Sequence, residues 1–166
     1  FIGTKENPIV ISARKYTQGF AVIDAKKQSK LDHVHFKNLS NISSNSWNLS
    51  GAVTFYESPV NINNCLFSDM NAEDNLNLVR SNFVLNNSKF INSKSDGIDI
   101  DFSNGFIKNT SIINSGNDGL DISGSKVKAN NLSIIGSGDK AISIGEESQF
   151  DIFDIAINKA KVGVAS

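Results

Sequence analysis

The chain has 166 residues, 39% of them hydrophobic and 20% charged, and a formal net charge of −1. Its 16 basic residues are scattered among 17 acidic ones, without the concentrated basic surface that phosphate binding needs, so nucleic acid is not an expected partner. No apolar run approaches the length of a membrane span, and a single cysteine rules out an internal disulfide.

In chain order, Pro8-Ile9-Val10-Ile11 reads as the last strand of a coil whose beginning is missing. Ala21 and Ile23, then Leu31, Val34 and Phe36, read as the apolar positions of the next coil. A longer loop, Leu39 to Ser50, follows and holds the only tryptophan, Trp47. Val53 and Phe55 flank Thr54, and Val60, Ile62, Cys65 and Phe67 complete that coil. From there the pattern is strict. Leu76 and Leu78 flank Asn77, Ile98 and Ile100 flank Asp99, Leu120 and Ile122 flank Asp121, and Ile142 and Ile144 flank Ser143. Alternation of this kind marks a short strand with one buried face. Its recurrence about every 22 residues marks a solenoid. Two further apolar groups follow in each unit: Phe83 and Leu85 then Ser88 and Phe90, Ile107 then Thr110 and Ile112, Val127 and Ala129 then Leu132 and Ile134, Phe150 and Ile152 then Ile155 and Ile157. Val162-Gly163-Val164-Ala165 reads as the first strand of one more coil.

Three short strands per unit, too closely spaced for hairpins, must pair with their equivalents in the next coil. The predicted fold is therefore all-β: a right-handed, single-stranded parallel β-helix with about 22 residues per coil and three short strands per coil. Asparagine suits its corners, because it tolerates left-handed backbone and can bond its counterpart one coil away. Residues 1–166 form one β-helix domain. The cut coils, and a first residue that is Phe rather than Met, read as a fragment of a longer solenoid or multidomain chain, with end-to-end packing onto further coils or domains. Cys65 falls on an inward position and is expected to be a buried, inert thiol.

Stacking turns one outward position per coil into a column. The middle of the first strand gives Thr54, Asn77, Asp99, Asp121 and Ser143. Its entrance gives Gly51, Asp74, Asp96, Asp118 and Lys140, and its exit Tyr56, Val79, Asp101, Ser123 and Gly145. Carboxylates about 5 Å apart repel by about 1 kcal/mol in water and roughly 3–4 kcal/mol at an effective dielectric of 20. Three answers are open: a bridging calcium held by Asp99 and Asp121, a retained proton that makes an acid/base pair, or splaying into water and onto turn amides. Asp96 and Asp118, beside Gly97 and Gly119, suit a backbone role in turns. Asp99, Asp101 and Asp121 are mid-strand, where Asp is depleted, and carry the functional expectation. The expected ligand-binding set is Asn77, Asp96, Asp99, Asp101, Asp121 and Lys140. Lys140 is placed to neutralise Asp118, and Arg80 to answer Glu57 or nearby acids. His33 and His35, two apart, are expected on one solvent-facing strand surface. Tyr16, Phe20, Trp47 and Tyr56 are candidates for an aromatic platform.

The opening Gly3-Thr4-Lys5-Glu6-Asn7-Pro8-Ile9 resembles a phrase of the right-handed β-helices of the pectate-lyase-like superfamily. The segments Gly51 to Phe55, Ser95 to Gly105, Gly116 to Ser125 and Gly138 to Ser143 resemble β-helix modules of uncharacterised bacterial proteins, some attached to CotH-like kinase domains. The resemblance implies an extracellular, cell-surface or periplasmic location and a link to acidic polysaccharides. In the pectin hydrolases of that superfamily an Asn-Thr-Asp-Gly-x-Asp motif precedes paired Asp and Gly-His-Gly. Asp96, Gly97 and Asp99 match part of the first motif. Lys94 and Ser95 replace its Asn and Thr, Asn117-Asp118 stands for the Asp pair, and no Gly-His-Gly follows.

Two functions follow as expectations. The first is a non-catalytic module of an exported bacterial protein, a spacer or a surface for a polysaccharide or protein, needing no cofactor, with calcium as an option. The alternative is a hydrolase, lyase or epimerase on acidic glycans, with Asp99, Asp118 and Asp121 as acid and base.

Overall fold

In the computed structural model the described residues are 1–44 and 46–166, with the side chain of Tyr16 left out, so that member of the expected aromatic platform lies outside the description. The chain is an all-β parallel solenoid of about seven turns with about 23 residues per coil, and no helix occurs among the described residues. Its strands line three faces. The first face stacks Phe20–Ile23, Gly51–Tyr56, Asp74–Val79, Asp96–Asp101, Leu120–Ser123, 140–144 and 162–165, all parallel. The second runs from Ser29–Asp32 through Val60–Asn63 and Asn82–Asn86 to 149–153. The third runs from Ile9–Gln18 through Val34–Ser40, Leu66–Ser68 and Lys89–Ser93 to 155–160. Six steps of about 4.8 Å make the rod about 30 Å long.

Each coil turns at three corners, and each corner is made by one residue in the left-handed region. At the second corner these are His33, Asn64, Asn87, Asn109, Asn131 and Asp154. At the third they are Asn38, Asp69, Asn92, Asn114, Gly136 and Lys159. Asparagine reaches this conformation at lower cost than bulkier residues, and its side chain adds a second bond. Asn87 donates to Asn63 Oδ1, Asn109 to Asn87 Oδ1 and Asn131 to Asn109 Oδ1, at 3.0–3.1 Å. In the later coils the strands Lys126–Ile144 and Gln149–Ala165 continue round the corners, with the corner residues skipped in the pairing and a register shift between Ser137 and Lys140.

The first corner carries a ladder that the sequence reading missed. Ser58, Ser81, Ser103 and Ser125 are buried. The amide of Ser58 donates to Ser81 Oγ, that of Ser81 to Ser103 Oγ and that of Ser103 to Ser125 Oγ, each at 2.9 Å. Each of the Ser81, Ser103 and Ser125 hydroxyls then contacts the carbonyl two residues earlier and a carbonyl of the previous coil. Corner amides that the strand ladders leave over are thereby satisfied inside the rod.

The core is a continuous apolar column with phenylalanines stacked along its axis. Phe36, Phe67 and Phe90 lie parallel, with centroids 5.2 and 4.6 Å apart. Cys65 is 3% exposed, as expected, and burial pushes its thiol up to about 11. One register expectation is corrected. Phe20 pairs with Val53 and Val22 with Phe55, so Phe20 and Val22 point inward, while Ala21 aligns with outward Thr54. A one-residue slip exchanges the two faces of a strand, and Ile23 is left 52% exposed. Gly97 and Gly119 are not left-handed turn residues either. Both fill inward positions at the tight third corner, where a Cβ on Gly97 would lie 2.5 Å from the Gly119 carbonyl oxygen and 2.6 Å from Ile112 Cγ2.

Candidate functional site

The first face brings the acidic residues into the expected columns. Asp74 pairs with Asp96, Asn77 with Asp99 and Val79 with Asp101, and in the next step Asp99 pairs with Asp121 and Asp101 with Ser123. Ser143 continues the middle column. The columns differ sharply in what their carboxylates do.

At the entrance, Asp96 and Asp118 are 8% and 3% exposed. Asp96 Oδ1 accepts the Asp118 amide at 2.8 Å and the Asn117 side-chain amide at 2.9 Å. Asp118 Oδ1 accepts the Lys140 amide at 2.9 Å, and its Oδ2 accepts from Lys140 Nζ at 3.3 Å. Each carboxylate thus caps the strand start one coil ahead. Lys140 also pairs with Asp139 at 2.8 Å, and these two bonds, Asp139 first, hold its ammonium pKa up. Desolvation raises Asp96 despite its two amide donors. Asp74 is the exception in this column. It is 1% exposed, and its Oδ2 has no hydrogen-bond partner. The Asp96 amide, which would complete the pattern, donates instead to the Glu73 carbonyl at 2.7 Å. Burial pushes Asp74 up to about 7; the Ser50 hydroxyl opposes this, and Asp96, Glu73 and Asp101 reinforce it.

In the middle column, Asn77 is 2% exposed and donates through Nδ2 to Asp99 Oδ2 at 2.9 Å and to Asp101 Oδ2 at 3.4 Å. Desolvation, then the charges of Asp74, Asp101, Asp121 and Asp96, push Asp99 up to about 9. Desolvation also raises Asp121, with the Ser143 hydroxyl opposing. Asp99, Asp101 and Asp121 are partly exposed and present oxygens to solvent. The arrangement offers hydrogen-bond acceptors and, at Asp99, a carboxyl that keeps its proton at neutral pH.

Calcium takes six to eight oxygens. Among the described residues no three Asp, Glu, His or Cys side chains converge as a metal site. Asp99 and Asp121 would supply only part of a calcium shell, the rest having to come from other oxygens such as carbonyls and water.

Other expected partners separate. His33 is in the left-handed region at a corner, outside strand Val34–Ser40, so it does not share a strand surface with His35. Its Nδ1 lies 2.8 Å from Asp32 Oδ1. Phe20 belongs to the core, 5.6 Å from the Phe36 centroid. Trp47 is 44% exposed on a small antiparallel hairpin, Ser43–Ser44 with Trp47–Asn48. Arg80, expected to answer Glu57, donates instead to the Tyr56 hydroxyl at 2.9 Å and lies over Phe102, 5.3 Å from the ring centroid. Phe102 was missed in the sequence. It occupies the left-handed corner position that Glu57, Arg80, Gly124 and Glu147 fill in other coils, with φ 49°, and it is 58% exposed. The signal was available: Phe102 is the only aromatic in that column.

Among the described residues no helix is long and apolar enough to cross a membrane. No family model matches the chain, and the search of curated proteins finds no similar one.

Proposed function

We propose that the chain is a non-catalytic β-helix module of the pectate-lyase-like kind, from an exported bacterial protein, whose first face binds a glycan. The observation that carries this reading is the middle column. Asp99 and Asp121 sit one coil apart in it, with Asp101 beside them at the strand exit; all three are partly exposed, and the buried Asn77 donates to Asp99 and Asp101. Extended saccharides offer hydroxyls at comparable intervals, and carboxylates are strong acceptors for them. The long loop leads into the Thr54 rung, two rungs before Asp99, and the coils around Asp99 stay short, which favours a binding face over a walled cleft.

One observation favours the catalytic alternative. Asp99 holds its proton up to about 9, as a general acid must. Against it, Asp118 is committed through both oxygens to Lys140, which leaves Asp121, one coil from Asp99, as the one remaining partner of the three. The test is affinity electrophoresis of the full chain through gels containing soluble polysaccharides, with product analysis after long incubation. Retardation that Asp99→Ala with Asp121→Ala abolishes, with no products, supports binding. Release of reducing or unsaturated ends would establish an enzyme. Free migration through every gel would remove the glycan reading.

A further inference from the structure

We propose that the glycan seated on this face is built of hexopyranose units without carboxylate or sulfate groups, and that Phe102 is the platform on which one ring stacks. The inference rests on the glycan-binding reading above. Its starting point is the backbone of Phe102. A bulky residue with φ 49° is disfavoured by contact between its Cβ and the backbone. Every corner of the rod takes one residue in this conformation, and among the non-glycine residues there only Phe102 is apolar. Here the unfavourable backbone sets a large apolar ring in solvent, where it gains no core burial.

The surroundings are built around that ring. On one side the Arg80 guanidinium lies over it and is itself fixed by the Tyr56 hydroxyl. One coil on, Gly124 leaves room for an edge of the ring, since a Cβ there would lie 2.6 Å from Phe102 Cδ1 and 2.8 Å from Cε1. Beyond the ring is a depression lined by Phe102, Ser123, Gly124, Gly145, Glu146 and Glu147. It therefore has an aromatic wall, a glycine floor and an acidic wall. From Tyr56 through Arg80 to Phe102 the strip crosses two coil steps, about 10 Å along the rod, enough for two sugar units.

Charge decides the class of sugar. Glu57, Asp101, Glu146 and Glu147 border the strip, and the Arg80 guanidinium on it is already engaged by Tyr56 and Phe102. Lys140, the next cation along the face, is paired with Asp118 and Asp139. A uronate or sulfated sugar would bring more negative charge to an acidic border. A neutral pyranose offers a C–H face to Phe102 and hydroxyls to the carboxylates, which is the pairing that aromatic and acceptor groups favour.

The experiment compares the full chain with Phe102→Gly and Phe102→Trp in gels containing a neutral galactomannan, a neutral β-glucan or polygalacturonate, with a lysine-rich peptide as a separate titrant. Glycine relieves the left-handed backbone, so that variant is expected to keep the fold with its melting temperature unchanged or raised. Wild type should be retarded by a neutral glycan and not by polygalacturonate. Phe102→Gly should weaken retardation about tenfold, the weight of one aromatic anchor, and Phe102→Trp should preserve it. Retardation by polygalacturonate alone, or equal retardation of Phe102→Gly, overturns the inference while leaving glycan binding in place. No retardation in any gel, with or without binding of the basic peptide, overturns both.

Discussion

Asp74 makes the chain's stability fall as pH rises, and Asp74→Asn isolates that effect. Its carboxyl is 1% exposed and Oδ2 lacks a partner, so ionisation inside the rod is opposed first by desolvation and then by Asp96, Glu73 and Asp101. The folded group titrates near about 7, against 3.8 for the unperturbed side chain. With the folded value raised, the native state holds a proton that the unfolded chain has already lost between these two values. Stability from this group is therefore complete below about pH 4 and is lost as pH rises to about 7, at about 1.4 kcal/mol per pH unit. Three units give a total of about 4 kcal/mol, flat at higher pH. Asparagine has the same shape and no charge to desolvate. Urea unfolding of wild type and Asp74→Asn, followed by far-ultraviolet circular dichroism at half-unit steps from pH 4 to 8.5, measures the difference directly. At pH 4 the two should agree within about 1 kcal/mol. By pH 8 the variant should be more stable by about 4 kcal/mol or somewhat less. Taking the difference cancels the titrating groups remote from Asp74, while Asp99, which the Asp74 charge helps to hold up, is relieved in the variant and adds to the difference in the same direction above about pH 7. A difference that stays constant with pH would refute the buried-carboxyl reasoning.

Three further outcomes test the ladders and the acidic face. Ser103→Ala removes the acceptor for the buried Ser81 amide and should destabilise the chain by about 1–3 kcal/mol in urea unfolding. Asp96→Ala should lose a similar amount by stranding the Asp118 amide, whereas Asp96→Asn, which keeps an oxygen acceptor, should retain most of the stability. Calcium at millimolar concentration should leave the melting temperature where magnesium leaves it; a calcium-specific rise that Asp99→Asn with Asp121→Asn removes would show that the donor set is larger than two carboxylates.

The sequence is most legible where one residue type recurs in one role. The Leu76, Ile98, Leu120 and Ile142 series fixes period and face together, so the strands from Gly51 onward and all three outward columns are readable in advance. The first coil is less so. Phe20-Ala21-Val22-Ile23 is apolar throughout, alternation vanishes, and only packing against Val53 and Phe55 chooses the inward pair. The serine ladder was hidden for a different reason: a serine between strands reads as a solvated turn, and nothing local shows that its hydroxyl is turned into the rod. Phe102 was hidden by its neighbours, because Ile98 and Ile100 set an inward rhythm that a following phenylalanine extends on paper. The backbone reverses hand at that residue, and the ring leaves the core.

The coil repeat also separates structural acids from free ones. At a strand entrance the first amide lies beyond the regular ladder, so a carboxylate one coil earlier can accept it; Asp96 and Asp118 do this. In mid-strand most amides are committed to the neighbouring rung, and an acid there has little backbone to reach: Asp121 finds the Ile122 amide and the Ser143 hydroxyl, which do not outweigh its desolvation. Asp99 and Asp121 consequently stack on one another with desolvation raising both. Repulsion of this kind works against the fold, and mid-strand serine or threonine, as at Ser143 and Thr54, would avoid it without altering the register. Acids with a structural return and acids without one thus occupy adjacent columns of the same face. The second set, with Phe102 at the following corner, is the one that the rod itself does not require, and the proposed ligand face stands on it.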